Sequence, residues 1–211
     1  MRQTEPARTR SRRTLGRIVA LVAIAAIVAT LAYHSAWPSA STSGAVFRGD
    51  PGVASARANG AVTVADGVLP DGVTVFDDGY PGVANLDPGL LTAVRRAATD
   101  AARDGVRFFV HSAWRSADYQ NQLLREAIAT YGSKKEAARW VASAQASAHV
   151  SGDAIDLATA ARTWLSKHGA RYGLCRVYRN EPWHYELRPR AIEHGCPPRY
   201  ADPTQDPRMK Q

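Results

Sequence analysis

Sixteen consecutive uncharged residues, from Ile18 to Tyr33, limit how this chain of 211 residues can fold. The stretch reads IVALVAIAAIVATLAY, which is too apolar for a surface helix. A secretory signal has an apolar core of about 7–15 residues and a membrane-spanning helix needs roughly 17–25, so a cleaved signal and an uncleaved anchor both fit. Because Ala29 and Ala32 have the wrong spacing for a cleavage site, we expect an uncleaved membrane helix at 18–37.

The basic segment before this helix, residues 1–17, predicts its orientation. It contains six arginines and one glutamate. Arginines before a spanning helix keep that end in the cytoplasm, so we expect a single-pass protein whose remaining chain lies outside the membrane. The adjacent Arg12 and Arg13 are also similar to a twin-arginine export signal, and this route stays open. If the helix is cleaved, the protein is secreted.

The same arginines account for most of the charge of the chain. The formal net charge is +8, of which residues 1–17 contribute +5 and the rest of the chain +3. Since the folded part is only weakly basic, we expect no nucleic-acid partner. The two cysteines allow one disulfide at most, which excludes a disulfide-framework miniprotein and a cysteine-rich metal site. We expect a monomer.

Composition divides the chain after the helix into three parts. Residues 38–70 are rich in Ala, Ser, Gly and Val without a helical period, which indicates a linker. Residues 71–197 carry patterned sequence and predict one folded domain. Residues 198–211 contain few apolar side chains, so we expect a disordered tail.

Within 71–197, short helices and strands follow one another without regular alternation. Asp87, Ser116 and Ser133 are suitable N-caps for three helices, and Gly132 ends the second of them. The patterns predict helices over 88–103, 117–131, 134–142 and 160–168, and strands over 107–111, 154–157, 174–178 and 183–187. This irregular mixture favours an α+β fold with a small, largely antiparallel sheet and helices packed against it.

Two short segments combine the residue types of a metal site. SAHVSGDAID, at 147–156, contains His149 and Asp156, and EPWHYE, at 181–186, contains Glu181 and His184. Two imidazoles and a carboxylate suit Zn²⁺, whose catalytic sites take three protein ligands and leave a fourth position for water. We therefore predict His149, Asp156 and His184 as zinc ligands, with Glu181 free to act as a general base.

The spacing of these residues requires two departures from regular strand geometry. Residues three apart on a strand face opposite sides, so Glu181 and His184 converge only if the chain bends between them, and Pro182 favours such a bend. His149 can approach Asp156 if it lies on a loop that enters the strand of Asp156. Gly152 would then adopt a backbone conformation that other residues resist.

The pattern Ser-x-His-x-x-Gly-x-Ala-x-Asp, from Ser147 to Asp156, followed by Glu-x-x-His at 181–184, resembles the VanY-type zinc D-alanyl-D-alanine carboxypeptidases. The upstream segment SAWRSADYQNQL, at 112–123, is similar to the Ser-x-Tyr-Arg-Ser segment of that family, with Trp114 in place of the usual Tyr. The resemblance spans about 71–187 and implies the fold of zinc D-Ala-D-Ala peptidases. It also implies zinc ligation by the three residues above and a role for Glu181 as catalytic base.

The resemblance also implies which residues contact the substrate. Arg115 is expected to bind it, either at the developing oxyanion or at the C-terminal carboxylate, and the sequence leaves both roles open. Ser147 and Gln120 match family positions that help to hold the terminal residue. Because Trp114 replaces the usual Tyr, we expect a specificity pocket of altered shape.

The function implied is hydrolysis of the terminal D-Ala-D-Ala bond of peptidoglycan stem peptides at the bacterial cell membrane. One alternative is an endopeptidase on the same scaffold. Another is a non-catalytic wall-binding module that zinc stabilises.

The two cysteines lie on either side of the second predicted metal segment. Cys175 precedes Glu181, and Cys196 follows His184. Outside the membrane a disulfide is permitted, and closing a loop of about 20 residues is worth about 3 kcal/mol in the chain-entropy model. We predict that they pair and brace the ligand-bearing strand. Two buried thiols are the alternative.

Overall fold

The structure, a computed structural model, describes residues 61–210. The expected basic tail at 1–17, the expected membrane helix at 18–37 and most of the expected linker lie outside these residues. Within 61–210, none of the helices combines the length and the apolar character that a membrane span needs.

Four short antiparallel strands form the central sheet, in the order β1-β2-β4-β3. Their bounds are β1 Val110–Ser112, β2 Ala154–Leu157, β3 Leu174–Arg176 and β4 His184–Leu187. The sheet confirms the predicted α+β fold. Strand β1 begins three residues later than predicted and β3 ends two residues earlier, whereas β2 has the predicted bounds.

Six α-helices are present within the described part of the chain. They are α1 Pro81–Ala84, α2 Pro88–Arg103, α3 Ala117–Tyr131, α4 Lys134–Ala137, α5 Thr159–His168 and α6 Ala191–His194. Single 3₁₀ turns cover Val64–Asp66, Gly169–Tyr172, Pro203–Gln205 and Pro207–Lys210.

The capping residues predicted from the sequence begin the two longest helices. The Asp87 carboxylate accepts hydrogen bonds from the backbone N–H groups of Gly89 and Leu90, at 2.8 and 2.9 Å, at the start of α2. The Ser116 hydroxyl accepts one from Tyr119 N–H at 3.1 Å at the start of α3. Each such cap stabilises a helix by about 1 kcal/mol, because it satisfies N–H groups that lack an intrahelical partner.

Helix α4 is shorter than predicted, since it ends at Ala137 and not near residue 142. Side chains from elsewhere bind the carbonyl groups that follow it. Asn180 Nδ2 donates to Arg139 O at 2.7 Å, and Gln120 Nε2 donates to Ala142 O at 2.9 Å. These tertiary hydrogen bonds replace the helical ones.

The two faces of the sheet differ in polarity. Alternate strand residues point to opposite faces. Ile155, Leu157 and Tyr185 belong to the hydrophobic core, together with apolar side chains of α2 and α5. Burying each large aliphatic side chain stabilises the fold by about 1.5–3 kcal/mol. Asp156 is adjacent to Ile155 and Leu157 on its strand, and His184 is adjacent to Tyr185, so both are on the other face.

The C-terminal segment is folded, so the predicted disordered tail at 198–211 is wrong for the described residues. Tyr200 N–H donates to Val177 O at 3.0 Å, and Asp202 and Asp206 are both buried. Arg208 donates to Glu186 at 2.7 Å. Polar and ionic contacts hold this segment, and a composition rule that counts only apolar residues misses them.

The folded domain also begins earlier than the predicted residue 71. Ser116 N–H donates to the Asp66 carbonyl at 2.8 Å, and Ser116 Oγ donates to Asp66 Oδ1 at 3.1 Å. The turn Val64–Asp66, which was assigned to the linker, is therefore bound to the start of α3.

Cys175 and Cys196 form a disulfide, as predicted, with their Cα atoms 5.6 Å apart. The bond connects β3 to the chain that follows α6. It thereby ties the sheet to the beginning of the C-terminal segment.

Candidate active site

Two of the predicted ligands are brought together by strand pairing. Asp156 on β2 and His184 on β4 are register partners. Side chains directly opposite each other on antiparallel strands have Cβ atoms about 4.5–5.5 Å apart. Asp156 Oδ1 and His184 Nδ1 lie 3.1 Å apart.

The third predicted ligand, His149, lies on the loop before β2, as expected. Gly152 allows this loop to turn, because its φ is +82° and an added Cβ would lie 2.6 Å from Asn85 O. His149 Nδ1–H donates to Ala113 O at 2.7 Å, which leaves Nε2 free to bind an ion. That Nε2 is 3.2 Å from His184 Nδ1 and 3.4 Å from Asp156 Oδ1.

These three atoms fit a single tetrahedral metal ion. Zinc binds histidine nitrogen at about 2.0–2.1 Å and carboxylate oxygen at about 2.0–2.2 Å, so tetrahedral ligand atoms lie about 3.3–3.5 Å from each other. The separations here are 3.1, 3.2 and 3.4 Å. His149, Asp156 and His184 are all buried and form the one group of metal-ligating type identified among residues 61–210.

Glu186 orients the second histidine. It lies two residues after His184 on the same face of β4, and His184 Nε2 is 3.3 Å from Glu186 Oε1. When Nε2–H donates to this carboxylate, Nδ1 is left as the ligand atom. Glu186 is the last residue of the EPWHYE segment, but no feature of the sequence predicted this role for it.

Glu181 lies beside the three ligands. The strand β4 begins only at His184, and His184 N–H contacts Glu181 O in a turn at 3.4 Å, which is the bend predicted at Pro182. Glu181 Oε2 is 3.7 Å from His184 Nδ1. Its Oε1 is buried without a hydrogen-bond partner among the described residues. Burial raises the pKa of Glu181 to about 7, although the nearby His184 opposes this shift. Such a carboxylate can accept and release a proton near neutral pH.

Arg115 is held by three side chains. Its Nε donates to Ser112 Oγ at 2.7 Å, Nη1 to Gln120 Oε1 at 3.1 Å and Nη2 to Asp156 Oδ2 at 3.0 Å. Gln120 is fully buried and so fixes the guanidinium group. Asp156 thus uses one oxygen for the histidines and the other for Arg115.

The surroundings of the site shift the pKa values of the two histidines in opposite directions. Burial lowers the pKa of His149, and Arg115 adds to this effect. Burial also acts to lower the pKa of His184, but hydrogen bonds to Asp156 and Glu186 raise it to about 10. Burial acts to raise the pKa of Asp156, but the two histidines together hold it well below its usual value. Asp156 is therefore ionised and available as an anionic ligand.

The three candidate ligands, Glu181 and Arg115 border one cavity of about 220 Å³. Its lining includes the predicted residues Arg115, Gln120, Ser147, His149, Asp156, Glu181 and His184. Ser147 Oγ accepts a hydrogen bond from His149 N–H at 3.3 Å.

Trp114 does not line this cavity, although it was predicted to bind substrate. Its backbone N–H donates to Gly82 O at 2.9 Å. The aromatic residues in the lining are instead Trp140, Tyr178 and Trp183. Trp183 lies between Glu181 and His184, so its position in the motif could have identified it. No sequence signal marked Trp140 or Tyr178.

The C-terminal segment also contributes to the cavity lining. Pro203 and Met209 both border the cavity. Both lie in the stretch that was predicted to be disordered.

The sequence matches the VanY family, described as D-alanyl-D-alanine carboxypeptidase, over residues 84–190. A D-alanyl-D-alanine carboxypeptidase of Enterococcus faecalis is 33% identical over 113 residues, which cover 41% of this chain and 42% of that protein. The chain thus spans about two fifths of the length of this curated relative.

Two solved structures each resemble part of the chain. A vancomycin resistance D,D-pentapeptidase VanY mutant in complex with Zn(II) is 27% identical, and the match covers 52% of this chain and 75% of that chain, with a TM-score of 0.47. The LdcB LD-carboxypeptidase is 21% identical, with 64% and 74% covered and a TM-score of 0.49.

Proposed function

Because the chain belongs to the VanY D-alanyl-D-alanine carboxypeptidase family, we propose that it is a zinc peptidase that removes the terminal D-alanine from peptidoglycan stem peptides. One observation carries this proposal. His149 Nε2, Asp156 Oδ1 and His184 Nδ1 converge within 3.4 Å of one another, with the carboxylate of Glu181 3.7 Å from His184. Three ligands and a spare base are the components of a hydrolytic zinc site.

Zinc bound by these three residues would polarise the scissile carbonyl and lower the pKa of water toward about 7. The chain's own residues perform the proton transfers. Glu181 accepts a proton from the attacking water, whose oxygen bonds to the carbonyl carbon. As the C–N bond breaks, Glu181 returns that proton to the departing amine, so the water is divided between the two products.

Arg115 has two N–H groups left to bind substrate. A guanidinium group has five donors, and Ser112, Gln120 and Asp156 engage three of them. Because Arg115 lines the cavity, the other two can bind a substrate oxygen. A rigid guanidinium suits the developing oxyanion and the terminal carboxylate equally well.

The size of the cavity supports a small terminal group as substrate. At about 220 Å³ it is smaller than the roughly 300–1,000 Å³ of sites for drug-sized ligands. A terminal D-alanine has only a methyl side chain, whereas an endopeptidase must accept chain on both sides of the cleaved bond.

The test is incubation of the zinc-loaded chain with a synthetic stem pentapeptide that ends in D-Ala-D-Ala, followed by mass spectrometry. We expect free D-alanine and a tetrapeptide. Cleavage at an internal bond would replace this proposal with the endopeptidase alternative. If Glu181→Gln leaves the biological activity intact, the non-catalytic wall-binding module is supported instead.

We further propose that the chain acts outside the cytoplasm, held at the bacterial cell membrane by a helix at 18–37. The Cys175–Cys196 disulfide supports this location, because structural disulfides persist in oxidising compartments. Fractionation and protease accessibility of intact cells test it. Recovery of the protein in the medium would indicate cleavage and secretion, and protection from protease would place the domain inside.

A further inference from the structure

A row of charged side chains connects the C-terminal segment, residues 202–209, to His184; Glu186 and Asp206 in it are buried, and Arg208 is partly exposed. Glu186 is only 2% exposed and contacts His184 Nε2 through its Oε1. Arg208 binds both oxygens of the same carboxylate, with Nη1 2.7 Å from Oε2 and Nη2 3.1 Å from Oε1. Such a bidentate pair fixes the plane of the carboxylate as well as its place.

Arg208 is itself held in place by Asp206. Its Nε donates to Asp206 Oδ1 at 3.0 Å, and Asp206 is completely buried. Tyr178 OH donates to Asp206 Oδ2 at 3.0 Å. Tyr178 also packs against the His184 ring, with the ring centroids 5.3 Å apart. These contacts therefore form a closed ring that starts at His184, passes through Glu186, Arg208, Asp206 and Tyr178, and returns to His184.

We expect this arrangement to add little to the free energy of unfolding. An ion pair with a buried carboxylate recovers little more than the cost of removing that charge from water, and apolar side chains of similar volume often stabilise a fold more. Its geometric effect is specific, however. Arg188 Nη2 lies 2.8 Å from Glu186 Oε2, whereas Arg208 also binds Oε1, the oxygen that contacts His184 Nε2. Because Arg208 holds this oxygen, the Nε2–H of His184 has a fixed acceptor, and Nδ1 remains the atom that faces His149 and Asp156.

We propose that Arg208 is a positioning residue for the metal site: through Glu186, it holds His184 in the orientation in which Nδ1 binds the ion. The C-terminal segment is then part of the active site and not a tail. This inference rests on the proposed zinc peptidase function, whose ligands it serves.

The test is the zinc dissociation constant of the full chain, measured by competition with a chelator. Loss of a group that orients a metal-binding histidine typically costs about 10–100-fold in metal affinity, and we expect this loss for Arg208→Gln. With cobalt in place of zinc, the visible absorption bands of Arg208→Gln should shift, because they report the ligand geometry. Arg208→Lys restores the charge with a single donor group, so the zinc affinity of this variant should lie between those of the wild type and Arg208→Gln.

Arg139→Gln is the matched control. Arg139 Nε donates to Asp202 Oδ2 at 3.0 Å, so it also holds the C-terminal segment, but its recorded contacts do not include Glu186. This variant should lose thermal stability and keep the zinc affinity and cobalt spectrum of the wild type. Equal losses of affinity in Arg139→Gln and Arg208→Gln would overturn the proposal, since the segment would then act only through stability.

A second variant decides the question if Arg208→Gln does not fold. Glu186→Gln keeps the shape of the side chain but removes the charge that Arg208 binds. We expect zinc affinity to fall about tenfold. Wild-type affinity in this variant would overturn the positioning role.

Failure of the positioning role and failure of the proposed function give different results. If the wild type binds zinc but does not hydrolyse stem peptides, the affinity measurements on Arg208→Gln still decide the positioning role. If the wild type hydrolyses them and Arg208→Gln has unchanged zinc affinity, only the positioning role is lost. A wild-type chain that binds no zinc overturns both.

Discussion

Asp156 and His184 face each other across β2 and β4, and their nearest polar side-chain atoms are 3.1 Å apart. The neighbouring register pair, Ile155 and Tyr185, lies in the hydrophobic core on the opposite face. A shift of one residue in either strand would turn a ligand into the core and a core side chain out of it. The core therefore fixes the register, and the register places two of the candidate ligands side by side.

Glu181 is expected to act in proton transfer without holding the metal. Glu181→Gln keeps the size of the side chain but cannot accept a proton, so kcat on the stem pentapeptide should fall about 10²–10⁴-fold. Zinc content, measured by atomic absorption, should stay at one ion per chain. Glu193→Gln is the control, because Glu193 is exposed on α6 and should keep wild-type kcat. Loss of zinc together with activity would make Glu181 a ligand.

Zinc binding is expected to strengthen as pH rises. In the zinc-stripped chain, the pKa of His184 is raised to about 10, so its imidazole carries a proton between pH 7.5 and 9. Zinc needs the neutral ring, and binding must displace that proton. The apparent affinity should therefore rise about tenfold per pH unit over this range. Calorimetry in buffers of different ionisation enthalpy counts the released protons, and an affinity independent of pH would contradict the prediction.

The disulfide is expected to stabilise the fold without taking part in catalysis. It closes a loop with a sequence separation of 21, for which the chain-entropy model gives about 3 kcal/mol. The double variant Cys175→Ser, Cys196→Ser should therefore melt about 6–12 °C below the wild type. Reduced wild type should show the same shift, while the double variant should not respond to reductant. Wild-type stability in the variant would show that the bond is not formed.

Local sequence rules predicted the elements that local chemistry controls. Asp87 and Ser116 begin helices because their side chains bind the nearest free N–H groups, and this needs no knowledge of the rest of the fold. The strand 154–157 was predicted because three of its four residues are apolar and Gly152 and Asp153 precede it. The three candidate ligands were predicted because zinc restricts both residue type and number.

The parts that sequence analysis missed depend on contacts between distant residues. Glu186 and Arg208 are 22 positions apart, and no periodic pattern links them. Asp206 is fully buried although its segment is polar, because Arg208 and Tyr178 satisfy it. Trp114 occupies the motif position of a family residue, but its indole is not in the cavity lining. In each case the decisive partner comes from another element.

The loop that carries His149 is expected to depend on Gly152. Gly152→Ala must keep a φ of +82° and place Cβ 2.6 Å from Asn85 O. Gly72→Ala is the matched control, because Gly72 has a φ of +86° but open space around it. Both variants pay about 1–2 kcal/mol for the left-handed backbone. Only Gly152→Ala must also move the loop away from Asn85 and displace His149, so it alone should weaken zinc binding, by about tenfold. Denaturant unfolding and chelator competition measure the two effects. Equal zinc affinities in the two variants would show that Gly152 does not place the ligand.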